Sequence, residues 1–435
     1  MLANVRRAGR LIRRGVRWIA RHMPWARPAI DRWKPMRALD GPHLIDDMPR
    51  LRRDANAAGP PRLTVLLPTL QMEKMTGGVN TALNLTARLV GHGFTLRFVA
   101  TFGEADADVG PIRAHIEDLT GQPLTGDVEF TTASSEIPLP VRPNDVFVAT
   151  WWPTAHVANA ALTMTSANEF IYLVQEFEPG FYPWSTDYAL ALDSYDFPAR
   201  IVFNESLLAD HFQTSGIGVF GDPARERHWI SFEPAVDRTL FKRAPSAGPG
   251  PARRRLAFYA RPRRKRNLFE LGLRALRLAA QDGLFDPVEW EVVSFGAHIP
   301  EFHLTPELVM RRAPWMSYAE YASYLGETDI LLSLMLSPHT SYPPLEMASA
   351  GGVVVTNTFG VKTEAALRAI SPRILASPPD ADALVSALRR ASGLVAASSI
   401  EGIPTDVALP ATWDDAFADV VPWLAAAIAE LGAAP

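Results

Sequence analysis

The chain of 435 residues contains no cysteine. This absence excludes a disulfide scaffold and zinc sites built from thiolates, and it is compatible with a reducing cytoplasm. No run of 18 apolar residues occurs, so a transmembrane helix is not expected, and the N-terminus lacks the apolar stretch of a signal peptide. Hydrophobic residues make up 48% and charged residues 21%, which argues against a disordered or fibrous chain. We expect a cytoplasmic protein of two or three domains.

Charge is unevenly distributed along the chain, although the net charge is only −4. Residues 1–59 carry 14 Lys and Arg against 5 Asp, an excess of +9, which leaves −13 for the remainder. Apolar residues recur there at helical spacing, with arginines on another face and with Trp18 and Trp25. This pattern favours peripheral attachment of residues 1–37 to an anionic membrane surface. A solvated tail, or an arm packed on the main body, is the alternative. The acidic body and the lack of a nucleic-acid-binding motif argue against a nucleic-acid partner.

From Pro60 onward, short apolar strands alternate with amphipathic helices. Runs such as RLTVLLPTL at 62–70 are typical of strands buried on both faces of a parallel sheet. The pattern restarts after the Pro- and Gly-rich stretch at 242–255, with RLAFYARP, EWEVVSFG, DILLSLML and GGVVVTN as a second set of strands. We predict the fold class α/β, with two doubly wound Rossmann-like domains facing each other across a cleft. The predicted divisions are a basic extension at 1–59, domains at 60–236 and 253–410 joined by a linker at 237–252, and a final helix at 411–435 that could cross back to the first domain.

Ligands in such folds bind beyond the carboxyl ends of the strands, where GGVNTA follows the first strand. Gly77 and Gly78 allow backbone N–H groups to approach a phosphate or a sugar closely. A plain strand-to-helix turn is the alternative interpretation.

A second segment, YARPRRKRNLFELG, follows the first strand of the second domain and carries five cations within 261–266. Guanidinium and ammonium groups can neutralise a diphosphate without a metal, so the cluster predicts a polyphosphate partner. Not all five can point inward, and we expect Arg263 and Arg264 to be ordinary surface residues.

The third segment is SPHTSYPPLEMASAGGVVVTN at 337–357. Pro343 and Pro344 suit a helix start, so the neighbouring amides are candidate anion donors. Glu346 is expected in the first turn of this helix, where it could accept hydrogen bonds from two adjacent hydroxyls of a ribose. A carboxylate at this position can also be merely favoured by the helix dipole.

Three polar residues, Gln175, Glu176 and Glu178, are expected to end a buried strand on the cleft side. Two carboxylates two residues apart on a strand share one face, so one could orient or deprotonate a substrate hydroxyl. A solvated strand end is an equally good interpretation, and Gln175 is a candidate contact of a bound substrate.

Two Asp-Ala-Asp triplets, at 106–108 and 380–382, resemble the metal-binding motif of metal-dependent transferases. The first lies in a polar loop, and in the second Asp380 is predicted to cap a helix. Neither follows a buried strand at the cleft, so we predict no metal and no cofactor.

Residues of roughly 60–430 resemble retaining GT-B glycosyltransferases of the GT4 type, and among them the WsaF-like rhamnosyltransferases of bacterial surface polysaccharide assembly. The resemblance is carried by GGVNTALNL, TWWPTAH, YLVQEFEPGFYPW, FEPAVDRTLF, YARPRRKRN and SPHTSYPPLEMASAGG. It implies a first domain that binds a saccharide or lipid-linked saccharide acceptor and a second that binds the nucleotide-sugar. It also implies metal-independent transfer of L-rhamnose from dTDP-β-L-rhamnose with retention of configuration.

The same resemblance assigns roles to individual residues. An arginine and a lysine of the family hold the donor diphosphate: Arg261 matches the first, and Lys265 or Arg266 matches the second. The later glutamate of the family's E-x7-E motif falls on Glu346, whereas Pro338 stands in place of the earlier one. The other implied donor-site candidates are Gly77, Gly78, His156, Trp315, Met316, His339, Ser341 and Tyr342.

Some alternatives stay open at the level of sequence. His156 lies near a position where relatives have a donor-contacting histidine, but a structural role suits a histidine in a first helical turn. Because Pro338 removes a common carboxylate, a non-catalytic saccharide- or nucleotide-binding protein on the same fold is a second candidate function. A GT-B epimerase or phosphorylase is a third, although no cofactor lysine for a phosphorylase can be located.

Overall fold

The computed structural model describes residues 47–54, 59–75, 77–103, 105–225, 228–244, 253–396, 402, 404–405 and 407–433. The predicted membrane-attachment segment and half of the predicted linker therefore lie outside the described residues. Pro49–Pro435 form one compact unit, which contains both predicted domains. None of the helices in the described ranges combines the length and the apolar character needed to cross a membrane.

The first lobe is built on a parallel seven-stranded sheet. Its strands, together with the two-stranded sheet β1–β5, are β1 (Leu51–Arg53), β2 (Arg62–Leu67), β3 (Thr95–Ala100), β4 (Val128–Thr132), β5 (Leu139–Val141), β6 (Asp145–Ala149), β7 (Phe170–Val174), β8 (Ala199–Asn204) and β9 (Trp229–Phe232). The large sheet has the order β4-β3-β2-β6-β7-β8-β9. The helices of this lobe are α1 (Gly78–Ala87), α2 (Gly110–Thr120), α3 (Trp152–Ala161), α4 (Thr186–Asp193) and α5 (Ser206–Ser215).

The second lobe repeats this design. Its strands are β10 (Arg254–Tyr259), β11 (Trp290–Phe295), β12 (Phe302–His303), β13 (Val309–Arg312), β14 (Ile330–Leu332), β15 (Val353–Asn357) and β16 (Ile374–Ser377). The order is β12-β13-β11-β10-β14-β15-β16, and only the β12–β13 pair is antiparallel. The helices are α6 (Phe269–Gln281), α7 (Tyr318–Gly326), α8 (Tyr342–Ser349), α9 (Glu364–Ile370) and α10 (Ala381–Ala396).

Continuous apolar strands explain why both sheets carry helices on two faces. All six residues of β2 are buried, as are all five of β15, which leaves neither face to water. Each lobe has its own apolar core, one around β2, β3 and β6 and the other around β10, β11 and β14. The predicted fold class, α/β with two Rossmann-like domains, is confirmed.

Two crossings of the chain between the lobes lie side by side. The amide of Val236 donates to Pro410 O at 3.0 Å, and Arg238 Nη2 donates to Val407 O at 2.8 Å. After the second crossing come α11 (Trp413–Ala416) and α12 (Val420–Gly432). Leu424 and Ile428 of α12 pack into the core of the first lobe, so the end of the described chain belongs to that lobe.

The two Asp-Ala-Asp triplets satisfy backbone amides. Asp380 Oδ1 accepts from the amides of Asp382 and Ala383, both at 3.0 Å, which confirms its predicted role as a cap of α10. Asp106 Oδ2 accepts from the amide of Met72, and Asp108 Oδ1 from that of Gly110, each at 2.9 Å. Among the described residues, no three His, Cys, Asp or Glu side chains are grouped as a metal site.

Candidate functional site

A cavity of about 1250 Å³ lies where the carboxyl ends of the two sheets meet. In the first lobe it is lined by residues that end or follow β2, β6, β7 and β8. In the second lobe it is lined by residues that end or follow β10, β11, β13 and β14. Parallel strands bring their carboxyl ends to one edge of a sheet, so short segments far apart in sequence converge here.

The cation cluster after β10 divides between the cavity and the solvent. Arg261, Arg264 and Arg266 line the cavity, whereas Lys265 Nζ lies 2.6 Å from Glu270 and its side chain is 80% exposed. Of the two candidates for the second cation, the structure therefore brings Arg266 to the cavity and turns Lys265 away. Arg263 and Arg264 are both exposed, as expected of surface residues, but Arg264 also lines the cavity.

Arg266 is largely enclosed, with its side chain 26% exposed. Burial lowers the pKa of its guanidinium, an effect that the nearby Glu176 carboxylate opposes. The guanidinium lies 4.3 Å from the ring centroid of Phe181, in cation–π geometry. Its Nε is buried without a hydrogen-bond partner.

Two other buried polar atoms of the cavity lining lack partners, Gln175 Oε1 and Asn204 Oδ1. Buried polar groups in folded proteins are nearly always paired. Two acceptors in the first lobe and the Arg266 Nε donor in the second are thus available to hydrogen-bond a polar ligand in this cavity.

Glu176 and Glu178 both line the cavity but differ in their surroundings. Glu176 accepts a short hydrogen bond from Ser337 Oγ of the second lobe, and its Oε2 lies 3.6 Å from Arg266 Nε. Glu178 Oε2 accepts from the Trp152 amide at 2.6 Å. Glu176 thus faces charged and polar groups of the other lobe, whereas Glu178 is held by its own lobe.

The pKa of Glu178 is raised to about 8, chiefly by burial, with a further contribution from the Glu176 charge. The expectation that both carboxylates lie on a strand was wrong: β7 ends at Val174, and Glu178 begins a 3₁₀ turn, Glu178–Phe181.

Glu346 is held by two tyrosines of α7. Tyr321 Oη donates to Oε2 at 2.7 Å and Tyr318 Oη to Oε1 at 3.3 Å. Burial raises the pKa of Glu346 to about 7, although both hydroxyls favour the carboxylate. Because α8 begins at Tyr342, Glu346 opens the second turn rather than the predicted first one.

One of the amides before the proline pair, that of Ser341, is already engaged and, contrary to expectation, is not a free anion donor. The Ser341 amide donates to His339 Nδ1 at 2.9 Å, and Ser341 has a φ of 71°. Pro343 and Pro344 have no N–H to offer. His339, Ser341 and Tyr342 nevertheless line the cavity.

Tyr342 connects the lobes at the floor of the cavity. Its hydroxyl lies 3.3 Å from Thr81 Oγ1 of α1 and accepts from Asn204 Nδ2 at 3.2 Å. The predicted glycine pair lies beside this contact, at the start of α1. Gln175 Nε2 donates to Gly78 O at 2.9 Å, so the glycine turn and the end of β7 form one wall.

Of three further donor-site candidates, two line the cavity and one does not. Trp315, which is 89% exposed, and Met316 lie along the second-lobe side of the cavity. His156 is not part of the lining: its Nε2 lies 3.0 Å from Leu190 O, and its ring packs edge-on against Phe197. The structure thus places His156 in a structural setting within the first lobe.

Sequence reasoning missed several side chains of the lining. These are Asn204, Tyr259, Arg264, His298, Arg312 and Tyr321. Tyr318 and Tyr321 share a face of α7 because they are three residues apart, which was a readable signal. Tyr259 and Arg264 belong to the YARPRRKRN motif, whereas Asn204, His298 and Arg312 lie at or just after strand ends without any motif of their own.

Two Rossmann-like lobes with a site between their strand ends define the GT-B class. Alr3699/HepE of Anabaena, solved in complex with UDP-glucose, has a TM-score of 0.52 at 12% identity, over 85% of this chain and 98% of that one. The N-terminal domain of trehalose-6-phosphate phosphatase of Candida albicans has a TM-score of 0.51 at 10% identity, over 88% and 99%. At such identities these likenesses show the fold.

The family is shown by two matches, the WsaF N-terminal domain over residues 62–205 and the WsaF C-terminal domain over residues 254–389. The chain belongs to the WsaF family of GT-B glycosyltransferases, as the sequence motifs predicted. It is also 37% identical over 216 residues to the O-antigen biosynthesis protein RfbC of Myxococcus xanthus. That alignment covers 49% of this chain and 15% of RfbC, so the chain matches only a small part of that longer protein.

Proposed function

We propose that this protein transfers L-rhamnose from dTDP-β-L-rhamnose to a saccharide acceptor in cell-surface polysaccharide assembly, with retention and without a metal. One observation carries the transferase proposal: the arginines after β10 and the unpaired buried atoms of both lobes line a single cavity. Family membership and the RfbC relative support the assignment to polysaccharide assembly. The WsaF-like motifs alone support rhamnose as the donor sugar.

In the proposed mechanism the donor lies across the cavity with its diphosphate at Arg261 and Arg266. The bond between the anomeric carbon and the diphosphate oxygen breaks as the acceptor hydroxyl attacks the same face, and the departing diphosphate oxygen takes the proton of that hydroxyl. The two guanidinium groups stabilise the charge that develops on the departing diphosphate. Glu346 accepts from the nucleoside sugar, and Glu176 orients the acceptor hydroxyl.

The test is a thermal-shift and turnover experiment with the purified full chain. We expect dTDP-rhamnose to raise the unfolding midpoint more than UDP-glucose, and dTDP release to depend on a saccharide acceptor and to persist in EDTA. NMR of the product should show the anomeric configuration of the donor.

Other outcomes separate the alternatives. Donor binding without hydrolysis or transfer favours a non-catalytic binding protein on this fold. Isomerised donor favours an epimerase, and activity that is lost in EDTA and restored by a divalent cation contradicts metal independence. A larger shift with another nucleotide-sugar contradicts rhamnose as the donor.

We further propose that residues 1–37 hold the enzyme at an anionic membrane surface, where a lipid-linked acceptor would be presented. The support is the basic amphipathic pattern of this segment. Co-sedimentation with vesicles of phosphatidylglycerol and phosphatidylcholine tests the proposal. We expect salt-sensitive binding that is lost on deletion of residues 1–37, and equal binding of both forms would contradict it.

A further inference from the structure

The carboxylate of Glu205 belongs to the first lobe, but its hydrogen-bond donors come from the second. Thr340 donates to it twice, from the amide at 2.9 Å and from Oγ1 at 2.6 Å. His339 Nε2 lies 3.1 Å from Glu205 Oε1. Glu205 is only 1% exposed, so this contact is fully removed from water.

The backbone of Glu205 is held in an uncommon conformation. The residue follows β8 directly and has a φ of 84°, a region that residues with a side chain rarely adopt. Such a conformation persists only where the surroundings determine it strongly. Here its amide donates to Phe232 O at 2.8 Å, and its side chain is directed into the other lobe.

Capping of α5 does not explain the position of this carboxylate. Glu205 precedes the first residue of α5 but makes no side-chain hydrogen bond to that helix. The amide of Ser206 instead donates to Glu233 Oε1 at 3.0 Å. The capping role in this region is therefore taken by Glu233, and the Glu205 side chain serves the second lobe.

The segment that Glu205 holds leads directly into the site. His339 accepts from the Ser341 amide through Nδ1, and both residues line the cavity at the start of α8. From its own lobe the segment is held by the buried Lys362, whose Nζ donates to Met335 O at 2.8 Å. The segment that leads to α8 is thus held by Lys362 of the second lobe and by Glu205 of the first.

We propose that Glu205 is a positioning residue that couples closure of the lobes to assembly of the nucleotide-binding part of the cavity. It does not line the cavity and acts through His339 and Thr340. When the lobes separate, these donors lose their acceptor, and the start of α8 loses its support. By linkage, a nucleotide that prefers the supported geometry also favours the closed lobes. The identity of the nucleotide rests on the proposed function, whereas the contact between the lobes does not.

The experiment uses the absence of native cysteine. Ala114→Cys on α2 and Gln281→Cys on α6, both exposed, carry a dye pair that reports the separation of the lobes by energy transfer. Glu205→Ala, Glu205→Gln and Thr340→Val are introduced into this background. Glu233→Gln is the matched control, because this neighbouring carboxylate bonds within the first lobe, to the Ser206 amide.

We expect Glu205→Ala to lower the energy-transfer efficiency of the ligand-free protein. It should also weaken dTDP binding by roughly tenfold or more, as loss of hydrogen bonds to a buried carboxyl group implies. Glu205→Gln and Thr340→Val should shift both quantities in the same direction by less. The KM for dTDP-rhamnose should rise more than kcat falls. Glu233→Gln should match the wild type in all three.

The proposal is overturned if Glu205→Gln and Thr340→Val both keep the wild-type energy-transfer efficiency and the wild-type affinity for dTDP. This test holds even if Glu205→Ala fails to fold. Equal effects of Glu205→Gln and Glu233→Gln would also overturn it, since they would indicate general weakening of the first lobe. If the wild type neither binds dTDP nor transfers rhamnose, the proposed function fails. The energy-transfer result still decides the role of Glu205 in closure.

Discussion

Arg266 of the second lobe and Glu176 of the first face each other across the cavity, with Arg266 Nε 3.6 Å from Glu176 Oε2. Burial makes the charge of Arg266 costly, and the opposing carboxylate offsets part of that cost. A bound diphosphate would add a second anion to the same guanidinium. Glu176 therefore stabilises the charged Arg266 guanidinium at the place where we expect the diphosphate to bind.

Replacement of Arg266 by Ala should lower kcat/KM for the donor by about 100-fold or more, the usual loss when a group that stabilises developing charge is removed. Lys265→Ala is the matched control, because it removes an equal charge one residue away that pairs with Glu270 in solvent. We expect it to stay within a few-fold of the wild type. Steady-state kinetics with dTDP-rhamnose decides, and similar losses in both variants would show that only net charge matters.

Binding of the donor should strengthen as the pH rises through 7. The pKa of Glu346 is about 7, and the 3′-hydroxyl of the donor's deoxyribose donates more strongly to the ionised carboxylate. Affinity for dTDP-rhamnose, measured by calorimetry between pH 6 and 8, should therefore increase with pH. Glu346→Gln should flatten this dependence.

Tyr321→Phe tests the role of Glu346 by removing a hydrogen-bond donor to its carboxylate. Its hydroxyl favours the ionised form of Glu346, so its loss should raise the pKa of Glu346 and move the midpoint of the binding curve to higher pH. Tyr324→Phe, on the same helix, is the control, because its hydroxyl has no partner. An unchanged midpoint in Tyr321→Phe would separate the pH dependence from Glu346.

Elements that depend on residues adjacent in sequence could be predicted. Contacts between residues far apart in sequence were missed. Apolar runs such as β2 and β15 and the cap at Asp380 depend on adjacent residues, so their patterns were readable. Lys265 and Arg266 could not be distinguished, because a 3₁₀ turn decides which one points inward. The contact of Glu205 with Thr340 joins residues 135 positions apart, and only the packing of two lobes creates it.

The glycine turn before α1 should not tolerate a side chain at its first position. Gly77 has φ 50° and ψ −115°, a conformation that costs a residue with a Cβ roughly 1–3 kcal/mol. We expect Gly77→Ala to lower the unfolding midpoint and to weaken donor binding. Gly393→Ala is the control: a Cβ there meets nothing within 4 Å, and alanine inside a helix is favoured by about 0.5–1 kcal/mol. Scanning calorimetry should show midpoint shifts of opposite sign.

The stability of the protein should decrease between pH 7 and 8 because of Glu178. Its pKa is raised to about 8 in the folded state, well above that of an exposed Glu. The folded state therefore binds the proton more tightly, and stability is lost as the pH rises toward 8, by at most about 1.4 kcal/mol per pH unit. Glu346 contributes in the same direction but mainly below pH 7. Lys362, with a pKa lowered to about 8, acts above pH 8 with the opposite sign.

Glu178→Gln isolates this contribution. The amide is neutral at every pH and can still accept from the Trp152 amide, so the fall in the unfolding midpoint between pH 7 and 8 should largely disappear. Because the wild-type carboxyl is mostly protonated at pH 7, Glu178→Gln should keep sugar transfer within a few-fold. Glu176→Gln, which alters the carboxylate facing Arg266, should lower it much more. A loss of activity in Glu178→Gln as large as that in Glu176→Gln would instead place Glu178 in direct contact with the acceptor.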